Sequence, residues 1–326
     1  MNITQPPKLP FLEFLGWQIA DVYRLTQLEM LASYERGWRH RHITDLPTSE
    51  LAFIKQLAVD RKSWLLGEFM DFEIGHHQLI YRVLENLNCE FLSECRAYFG
   101  GGTLISLDLG EYRTSNDVDF ICSLGSDYRK LRNAISDSPG ERLRERNPHI
   151  LLKDNSDLKI ERFTADQYGI RMAIVVDGIP IKTEIIAEAR FELDLPRQPS
   201  WSPVECLSMI DCFTSKLLAN ADRSADPSVH SRDLIDLAFL RNAQPIPPLA
   251  IEKAEAAYRV ISPLNAALTK FQADADLRFH CYNNLKISEA FRSQLIDGID
   301  LLAIDLGLEK TSRTMSESGD NIFPFM

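Results

Sequence analysis

The sequence predicts an α+β fold, in which a small mixed β-sheet is preceded and followed by helices. Apolar residues recur at helical spacing through most of the first 92 residues and again after Pro203. Between these parts, from Arg96 to about Phe191, the chain instead contains short β-rich runs. It lacks the regular alternation of strands and helices that builds a doubly wound parallel sheet, so the mixed arrangement is favoured.

Residues 1–92 are expected to form a helical N-terminal extension. Pro6, Pro7 and Pro10 favour an extended lead-in before the first helix. One later helical face repeats apolar side chains at i, i+3, i+4 and is more typical of a core than of a binding surface. The adjacent His76 and His77 point in different directions on a helix, so we expect surface or partly buried histidines rather than a shared metal. That face consists of Phe69, Phe72, His76, Leu79, Ile80, Val83 and Leu87.

Residues 93–200 are expected to hold the sheet. Short apolar and β-branched runs are the predicted strands. Asp177 and Gly178 separate the last two runs, and this dipeptide is typical of a two-residue type I′ hairpin turn. The runs are Ala97–Gly100, Val118–Ser123, Met172–Val176 and Ile179–Ile186.

Residues 201–310 are expected to form a C-terminal helical bundle, and residues 311–326 a loose tail. Asp226 followed by Pro227 suits a helix N-cap with proline at the first helical position. The tail is polar before its final aromatic residues, which gives it little apolar surface to bury. The clearest helical segments are Pro203–Arg223, Pro227–Asn242, Leu249–Ile261 and Ser288–Leu306.

Composition limits the classes of protein to which the chain can belong. Its 326 residues suffice for one large domain or two modest ones. It carries 36 basic and 47 acidic side chains, a net charge of −11, which argues against a broad non-specific nucleic-acid surface. There is no apolar run long enough to span a membrane and no secretory signal pattern at the start, so we expect a cytoplasmic protein without a membrane partner.

The six cysteines indicate no metal or disulfide scaffold. No pair has C-x-x-C spacing, and no cysteine–histidine cluster has the spacing of a zinc site. We therefore expect reduced and mostly buried thiols. The chain also lacks the G-x-x-x-x-G-K-[ST] pattern of a P-loop nucleotide site.

The segment Phe99–Phe120 contains the first pattern that points to chemistry. A short apolar strand runs into three glycines, whose backbone N–H groups can approach a ligand closely. Thr103 can cap the helix that follows. A strand, a glycine turn and a helix N-terminus together favour binding of an anion such as a phosphate, with Gly101 and Gly102 nearest to it.

Asp117 and Asp119 lie two residues apart at the start of a predicted strand. Both carboxylates then project from the same face, while Val118 and Phe120 point to the buried face. Two close carboxylates repel each other, and a bound Mg²⁺ relieves this repulsion while also accepting phosphate oxygens. A lone D-x-D is common on solvated surfaces, but here it follows a glycine turn.

Glu184 is a candidate third carboxylate on the strand Ile179–Ile186. Lys182, Glu184 and Ile186 share one face of this strand, because side chains alternate. An acid inside an otherwise apolar strand can complete a metal site or accept a proton. The alternative is a solvated carboxylate at the edge of the sheet.

Two predicted helices carry polar stripes further along the chain. Lys216, Asn220 and Arg223 fall at i, i+4, i+7, and Asp233 and Asp236 fall at i, i+3. A solvated helix face is the ordinary explanation for each stripe taken alone. Their position downstream of the glycine turn and the D-x-D favours a role in the same site.

Together these motifs resemble the nucleotidyltransferase toxins of the AbiEii/AbiGii type, from type IV toxin–antitoxin systems and the DNA polymerase β-like nucleotidyltransferase superfamily. The resemblance covers about Phe99 to Leu240. The chain departs from the family pattern at Ala221, where serine is common, and at Arg232, where the family has lysine before the aspartate. The matching residues are Gly101-Gly102-Thr103, Arg113-x-Ser115-x-Asp117-x-Asp119, Ile181-x-x-Glu184, Lys216 to Arg223, and Arg232-Asp233-x-x-Asp236.

The resemblance implies transfer of a nucleoside monophosphate from an NTP to an acceptor hydroxyl, in some toxins the tRNA 3′ end, and an antitoxin partner. Asp117, Asp119 and Glu184 would bind Mg²⁺, with Glu184 alternatively a base. Asp233 would orient Lys216 or act as a base. The implied nucleotide contacts come from Gly101, Gly102, Thr103, Arg113, Ser115, Lys216 and Arg232.

Two other functions are compatible with these residues. A nucleotidyltransferase of the antibiotic-modifying type would use the same centre on a small-molecule acceptor. A catalytically inert relative would bind a nucleotide or a partner protein, although the intact carboxylates at Asp117, Asp119 and Glu184 argue against it.

Overall fold

The computed structural model describes residues 5–40, 46–61, 63, 65, 72–136 and 147–318. The chain forms two compact units, Met1–Asp71 with Pro199–Trp201 and Phe72–Gln198 with Ser202–Met326. The first boundary therefore falls at residue 71 and not at the predicted 92. The predicted sheet and C-terminal helices belong to one unit.

The first unit is helical in its described residues, as predicted. Its helices are α1 (Pro10–Leu15), α2 (Gln27–Gly37) and α3 (Thr48–Arg61). The Thr26 side chain caps α2 together with Glu29. The buried Glu50 carboxylate accepts hydrogen bonds from two backbone N–H groups of α1 and from Tyr34 Oη. These bonds satisfy a buried charge and join the three helices.

The second unit is built on a five-stranded mixed sheet, with strand order β1-β2-β5-β4-β3. Strands β2 and β5 are parallel, and the other neighbouring pairs are antiparallel. Asp177 (φ 51°) and Gly178 (φ 78°) form the turn between β4 and β5, as predicted. The sequence did not predict β3, because most of its side chains are exposed and give no apolar alternation. The strands are β1 (Ala97–Gly100), β2 (Val118–Ser123), β3 (Lys159–Ala165), β4 (Gly169–Val176) and β5 (Ile179–Glu188).

Helices make up much of the remainder of the second unit in the described residues. The helix α6 (Gly101–Asp108) begins directly at the end of β1, and α8 (Met209–Arg223) packs against α9 (Arg232–Ala243). None of the helices in the described ranges is long and apolar enough to cross a membrane. The remaining helices are α4 (Gly75–Asn86), α5 (Cys89–Glu94), α7 (Ser126–Ser136), α10 (Pro248–Ala257), α11 (Ile261–Ala273), α12 (Ala275–Leu285) and α13 (Glu289–Asp305).

The expectation of a loose tail does not hold for residues 311–318. Thr311 N donates to Asp300 Oδ1 at 2.7 Å, and the fully buried Glu317 forms an ion pair with Arg278. Tyr282 Oη also donates to Glu317. The sequence did not predict this docking, because the residues that fix the segment are charged and charged residues usually indicate an exposed segment. Residues 319–326 lie outside the described residues.

The cysteines are unpaired, and five of the six are buried. Burial raises the pKa of Cys95 to about 11 and that of Cys122, Cys206 and Cys212 to about 12. These thiols stay protonated at neutral pH, so they behave as the inert core residues that the sequence predicts.

Candidate active site

Two of the three predicted carboxylates lie on neighbouring strands, and the third lies directly before one of these strands. Asp117 directly precedes β2, and Asp119 pairs in register with Glu184 on the parallel strand β5. Val118 and Phe120 are buried on the opposite face, as strand alternation requires. The sheet thus brings together acids that are 65 residues apart in the sequence, from Asp119 to Glu184.

The glycine turn fits tightly against these acids. Gly101 has φ +71°, and a Cβ placed there would lie 2.5 Å from Asp119 Oδ2. A Cβ on Gly102 would overlap the Arg113 guanidinium. Both positions therefore require glycine, the first also for its left-handed backbone. The turn holds the start of α6 close to the carboxylates.

Thr103 plays a different part from the one predicted. Its hydroxyl is buried and donates to the carbonyl oxygen of Asp117 at 2.5 Å. It also lies 2.7 Å from Ser115 Oγ. The Thr103 side chain therefore fixes the loop that carries Asp117 and is not available to cradle a triphosphate.

A buried cluster of ion pairs lies beside the glycine turn. Lys216 Nζ lies 2.9 Å from Asp233 Oδ1 and 2.7 Å from Asp236 Oδ2. Arg113 donates from Nε and Nη2 to the two carboxylate oxygens of Asp236, at 2.6 and 2.9 Å. Tyr112 Oη adds a hydrogen bond to Asp236. Two of the cations predicted to contact phosphates, Arg113 and Lys216, are therefore held in place by aspartates of α9.

Asp233 lies between the Lys216 and Arg223 cations. It is buried, and burial alone would raise its pKa. The Lys216 and Arg223 cations beside it outweigh that effect and hold the pKa of Asp233 far below its usual range. Arg223 donates to both carboxylate oxygens at 2.6 and 2.8 Å. A carboxylate this stabilised does not take up a proton at neutral pH.

Asp119 shows the opposite behaviour. Burial, and then the neighbouring Asp117 carboxylate, raise its pKa to about 6. Glu184 adds to the repulsion, while Lys216 and Lys182 oppose it. A carboxyl group that is costly to ionise in the metal-free protein gains most from a bound cation.

Glu184 is held by two cations of the sheet. Lys182 Nζ lies 2.6 Å from Glu184 Oε2 and 3.7 Å from Asp117 Oδ2, and Arg171 Nε lies 3.2 Å from Glu184 Oε1. Across the described ranges, no three His, Cys, Asp or Glu side chains stand close enough together to form a complete metal site. The pair Asp117 and Asp119 nevertheless fits Mg²⁺, which takes one or two carboxylates and completes its shell with substrate phosphates and water.

The three acids, the glycine turn and Lys216 line a cavity of about 330 Å³. Arg232 reaches it from the first position of α9 and forms no ion pair with other described residues. The cavity lining also contains Lys182, Glu188, Arg190 and Asp222, which the motifs did not predict as site residues. Their alternation with Glu184 along β5 was the available signal for Lys182 and Glu188. The lining also includes Gly101, Gly102, Arg113, Ser115, Asp117, Asp119, Ile121, Glu184, Ile186, Ser215, Lys216, Ala219 and Arg223.

A mixed sheet with paired aspartates, a glycine turn and a buried lysine facing one cavity is the arrangement of a nucleotidyltransferase. The family model described as nucleotidyl transferase AbiEii toxin, type IV TA system, matches residues 82–290. The chain belongs to this family of nucleotidyltransferases, and the family implies an NTP substrate and an antitoxin partner.

Two crystal structures from Helicobacter pylori are similar over much of their length. One, a presumed nucleotidyltransferase, is 15% identical with a TM-score of 0.39, and the match covers 72% of this chain and 95% of that one. The other, JHP933, is 16% identical with a TM-score of 0.38, covering 72% and 90%. These values are too low to carry details of either protein across. No protein of curated function matches the chain.

Proposed function

We propose that the protein transfers a nucleoside monophosphate from an NTP to the 3′ end of a tRNA in the cytoplasm, with Mg²⁺ as the cofactor. The observation that carries this proposal is the register of Asp119 with Glu184, next to the Gly101 turn and the buried Lys216. Acids on one side and fixed cations on the other suit a polyanionic substrate and its metal.

The residues have distinct parts in the proposed reaction. Asp117 and Asp119 hold the metal, which when bound neutralises charge on the phosphates and polarises the reacting phosphorus. Lys216 and Arg232 supply positive charge to the triphosphate, and the backbone of Gly101 and Gly102 approaches it closely. Arg113 keeps two N–H hydrogens beyond those bound to Asp236 and Thr114, and it faces the cavity.

The proposed step is a single displacement at the α-phosphorus. The acceptor oxygen forms a bond to phosphorus, the bond from phosphorus to the β-phosphate bridging oxygen breaks, and pyrophosphate leaves. The acceptor proton passes to Glu184, whose two oxygens each hold one cation contact and retain a further lone pair. Binding of the acceptor close to its end agrees with the net charge of −11, because a broad anionic surface would repel the rest of an RNA.

The decisive experiment is incubation with each α-³²P-labelled NTP, total tRNA and Mg²⁺. We expect Asp117→Asn and Asp119→Asn to lower transfer at least about a thousandfold, because each removes a ligand of the reacting centre. Asp154→Asn, an exposed acid outside the cavity, is the matched control. Equal transfer by wild type and Asp119→Asn would refute the assignment.

The acceptor is tested separately. Label on tRNA supports the proposal, while label on an aminoglycoside with none on tRNA would identify a small-molecule nucleotidyltransferase. Growth arrest on expression, relieved by Asp119→Asn and by the cognate antitoxin, would support action as a toxin. Binding of NTP without transfer to any acceptor would indicate an inert relative.

A further inference from the structure

Two adjacent histidines of α4 hold the loop that carries Asp117. His77 is fully buried, with Nδ1 2.7 Å from Glu111 Oε1 and Nε2 3.0 Å from the backbone N of Ser115. His76 Nε2 lies 3.0 Å from the carbonyl oxygen of Asn116. The histidine pair thus contacts the two residues directly before Asp117. The prediction of surface or partly buried histidines holds for His76 and is wrong for His77.

The contacts of His77 define its protonation state. The Ser115 N–H can only donate, so His77 Nε2 must be the unprotonated acceptor. The ring hydrogen then lies on Nδ1 and is donated to Glu111. Burial lowers the pKa of His77 and keeps this neutral form at physiological pH. A protonated ring would turn an N–H towards the Ser115 N–H and lose the bond.

The backbone conformation and the hydrogen bonds of Glu111 hold its carboxylate where it accepts the hydrogen bond from His77. It has φ +58°, directly after Gly110 with φ +84°, so a residue with a Cβ occupies the left-handed region. Its carboxylate also accepts hydrogen bonds from the backbone N–H groups of Glu73 and Ile74, at 2.6 and 3.2 Å. These bonds fix the carboxylate to the start of α4, and the carboxylate in turn fixes the orientation of the His77 ring.

Further hydrogen bonds fix the backbone between Ser115 and Asp117. Ser115 Oγ lies beside the Thr103 hydroxyl, which donates to the Asp117 carbonyl oxygen. The backbone on either side of Asn116 is therefore held, by His77 before it and by Thr103 after it. This leaves Asp117 a narrow range of directions in which to project its carboxylate.

We propose that His77 is a positioning residue of the nucleotidyltransferase centre. As a neutral imidazole oriented by Glu111, it fixes the Ser115 backbone and so directs Asp117 at the metal. This inference rests on the proposed function of Asp117. We expect a change at His77 to affect metal binding rather than the cations that contact the triphosphate. Those cations, Lys216 and Arg232, lie on α8 and α9 and not on the loop that His77 holds.

The first test measures Mn²⁺ binding to the full chain at pH 7.5, without nucleotide. We expect His77→Phe, which keeps the ring volume but cannot accept or donate, to weaken Mn²⁺ binding about tenfold. His77→Gln can offer an amide oxygen to the Ser115 N–H and should recover most of that loss. His149→Phe, at an exposed histidine outside the cavity, is the matched control and should change affinity less than threefold.

The second test measures the protonation state and tautomer of the His77 ring in the wild-type protein. Two-bond ¹H–¹⁵N correlation of ¹⁵N-histidine-labelled protein should show His77 as the neutral Nδ1–H tautomer, and unchanged in Asp117→Asn. An Nε2–H or doubly protonated His77 would overturn the inference, and this readout applies even where His77→Phe fails to fold.

The outcomes separate this inference from the function on which it rests. The positioning role alone would be refuted if the wild-type protein binds Mn²⁺ and the folded His77→Phe and His77→Gln variants both bind it with the wild-type affinity. Wild-type protein that binds no Mn²⁺ would refute the metal site at Asp117 and this inference with it.

Discussion

Lys182 stands where a metal ion would also be attracted. Its ammonium group contacts Glu184 and lies within 4 Å of Asp117, so it already supplies positive charge to two of the three acids. More than half of its side chain is exposed, and solvent therefore weakens these interactions. If Asp117 and Asp119 hold a divalent ion as proposed, that ion and Lys182 would compete for the same acidic cluster.

We predict that Lys182→Gln binds Mn²⁺ about fivefold more tightly than wild type, or ~1 kcal/mol after allowance for solvent screening. Calorimetric titration with Mn²⁺ checks this, with Lys153→Gln, an exposed lysine of the second unit outside the cavity, as the control. Weaker binding by Lys182→Gln would mean that the lysine organises the acids for the metal instead of competing with it.

Asp119 couples the stability of the metal-free protein to pH. Its pKa rises from an ordinary value of 3.8 to about 6 on folding, so the folded chain holds this proton more tightly than the unfolded chain. The contribution of Asp119 to stability is therefore present below pH 3.8 and is lost as pH rises to about 6.

We predict that Asp119→Asn raises the free energy of unfolding of the metal-free protein by about 2 kcal/mol at pH 7.5, because it removes a costly buried charge. The same variant should gain little at pH 4. Urea unfolding at the two pH values, with EDTA present, measures both. A variant that is destabilised equally at both would show that the carboxylate is not under electrostatic strain.

At the scale of elements, the turn between β1 and α6 shows how backbone conformation and close contact act together. Gly101 has φ +71° and lies against Asp119, whereas Gly307 has the same φ with open space around it. The two glycines therefore separate the cost of the left-handed backbone from the cost of the clash.

We predict that Gly307→Ala costs about 1 kcal/mol of stability, as expected for an alanine in the left-handed region. Gly101→Ala should cost at least about 2 kcal/mol more, because its methyl group must displace Asp119 or the start of α6. Chemical denaturation compares the two, and similar losses would show that the turn can relax away from Asp119.

The elements that motifs and turn chemistry define could be predicted from the sequence. The hairpin at Asp177 and Gly178 follows from a local rule, and the structure confirms it. Asp117 and Asp119 line one cavity, which agrees with the predicted alternation along the strand. The ion pairing of Arg113 with Asp236 could not be predicted, because it joins residues that are 123 positions apart through tertiary packing. The role of His77 could not be predicted either, because its contacts with Glu111 and Ser115 join residues that are more than 30 positions apart in the sequence.

At the scale of the whole molecule, the C-terminal segment is part of the fold. Glu317 is buried against Arg278 and Tyr282, and Arg278 also donates to the carbonyl oxygens of Phe271, Gln272 and Ser312. Burial alone would raise the pKa of Glu317, but the Arg278 hydrogen bonds outweigh it and lower the pKa to about 2. This carboxylate therefore stabilises the fold above its ordinary pKa of 4.5, and the contribution is lost as pH falls towards 2.

We predict that Glu317→Gln lowers the free energy of unfolding by about 3 kcal/mol at pH 7, because it leaves a buried arginine without its counter-charge. The loss should shrink towards pH 3. Met315→Ser, on an almost fully exposed side chain of the same segment, is the control. Thermal unfolding curves at both pH values measure the effect, and an unchanged Glu317→Gln curve at pH 7 would show that the segment contributes nothing.

The bond between Arg113 and Asp236 also has a consequence for how the protein is made. On the ribosome, the strands with Asp119 and Glu184 emerge before α8 and α9. A nascent chain that ends ahead of Asp236 has its acids but not the partners that hold Arg113 and Lys216. Synthesis therefore delivers the complete centre only after α9 has left the ribosome.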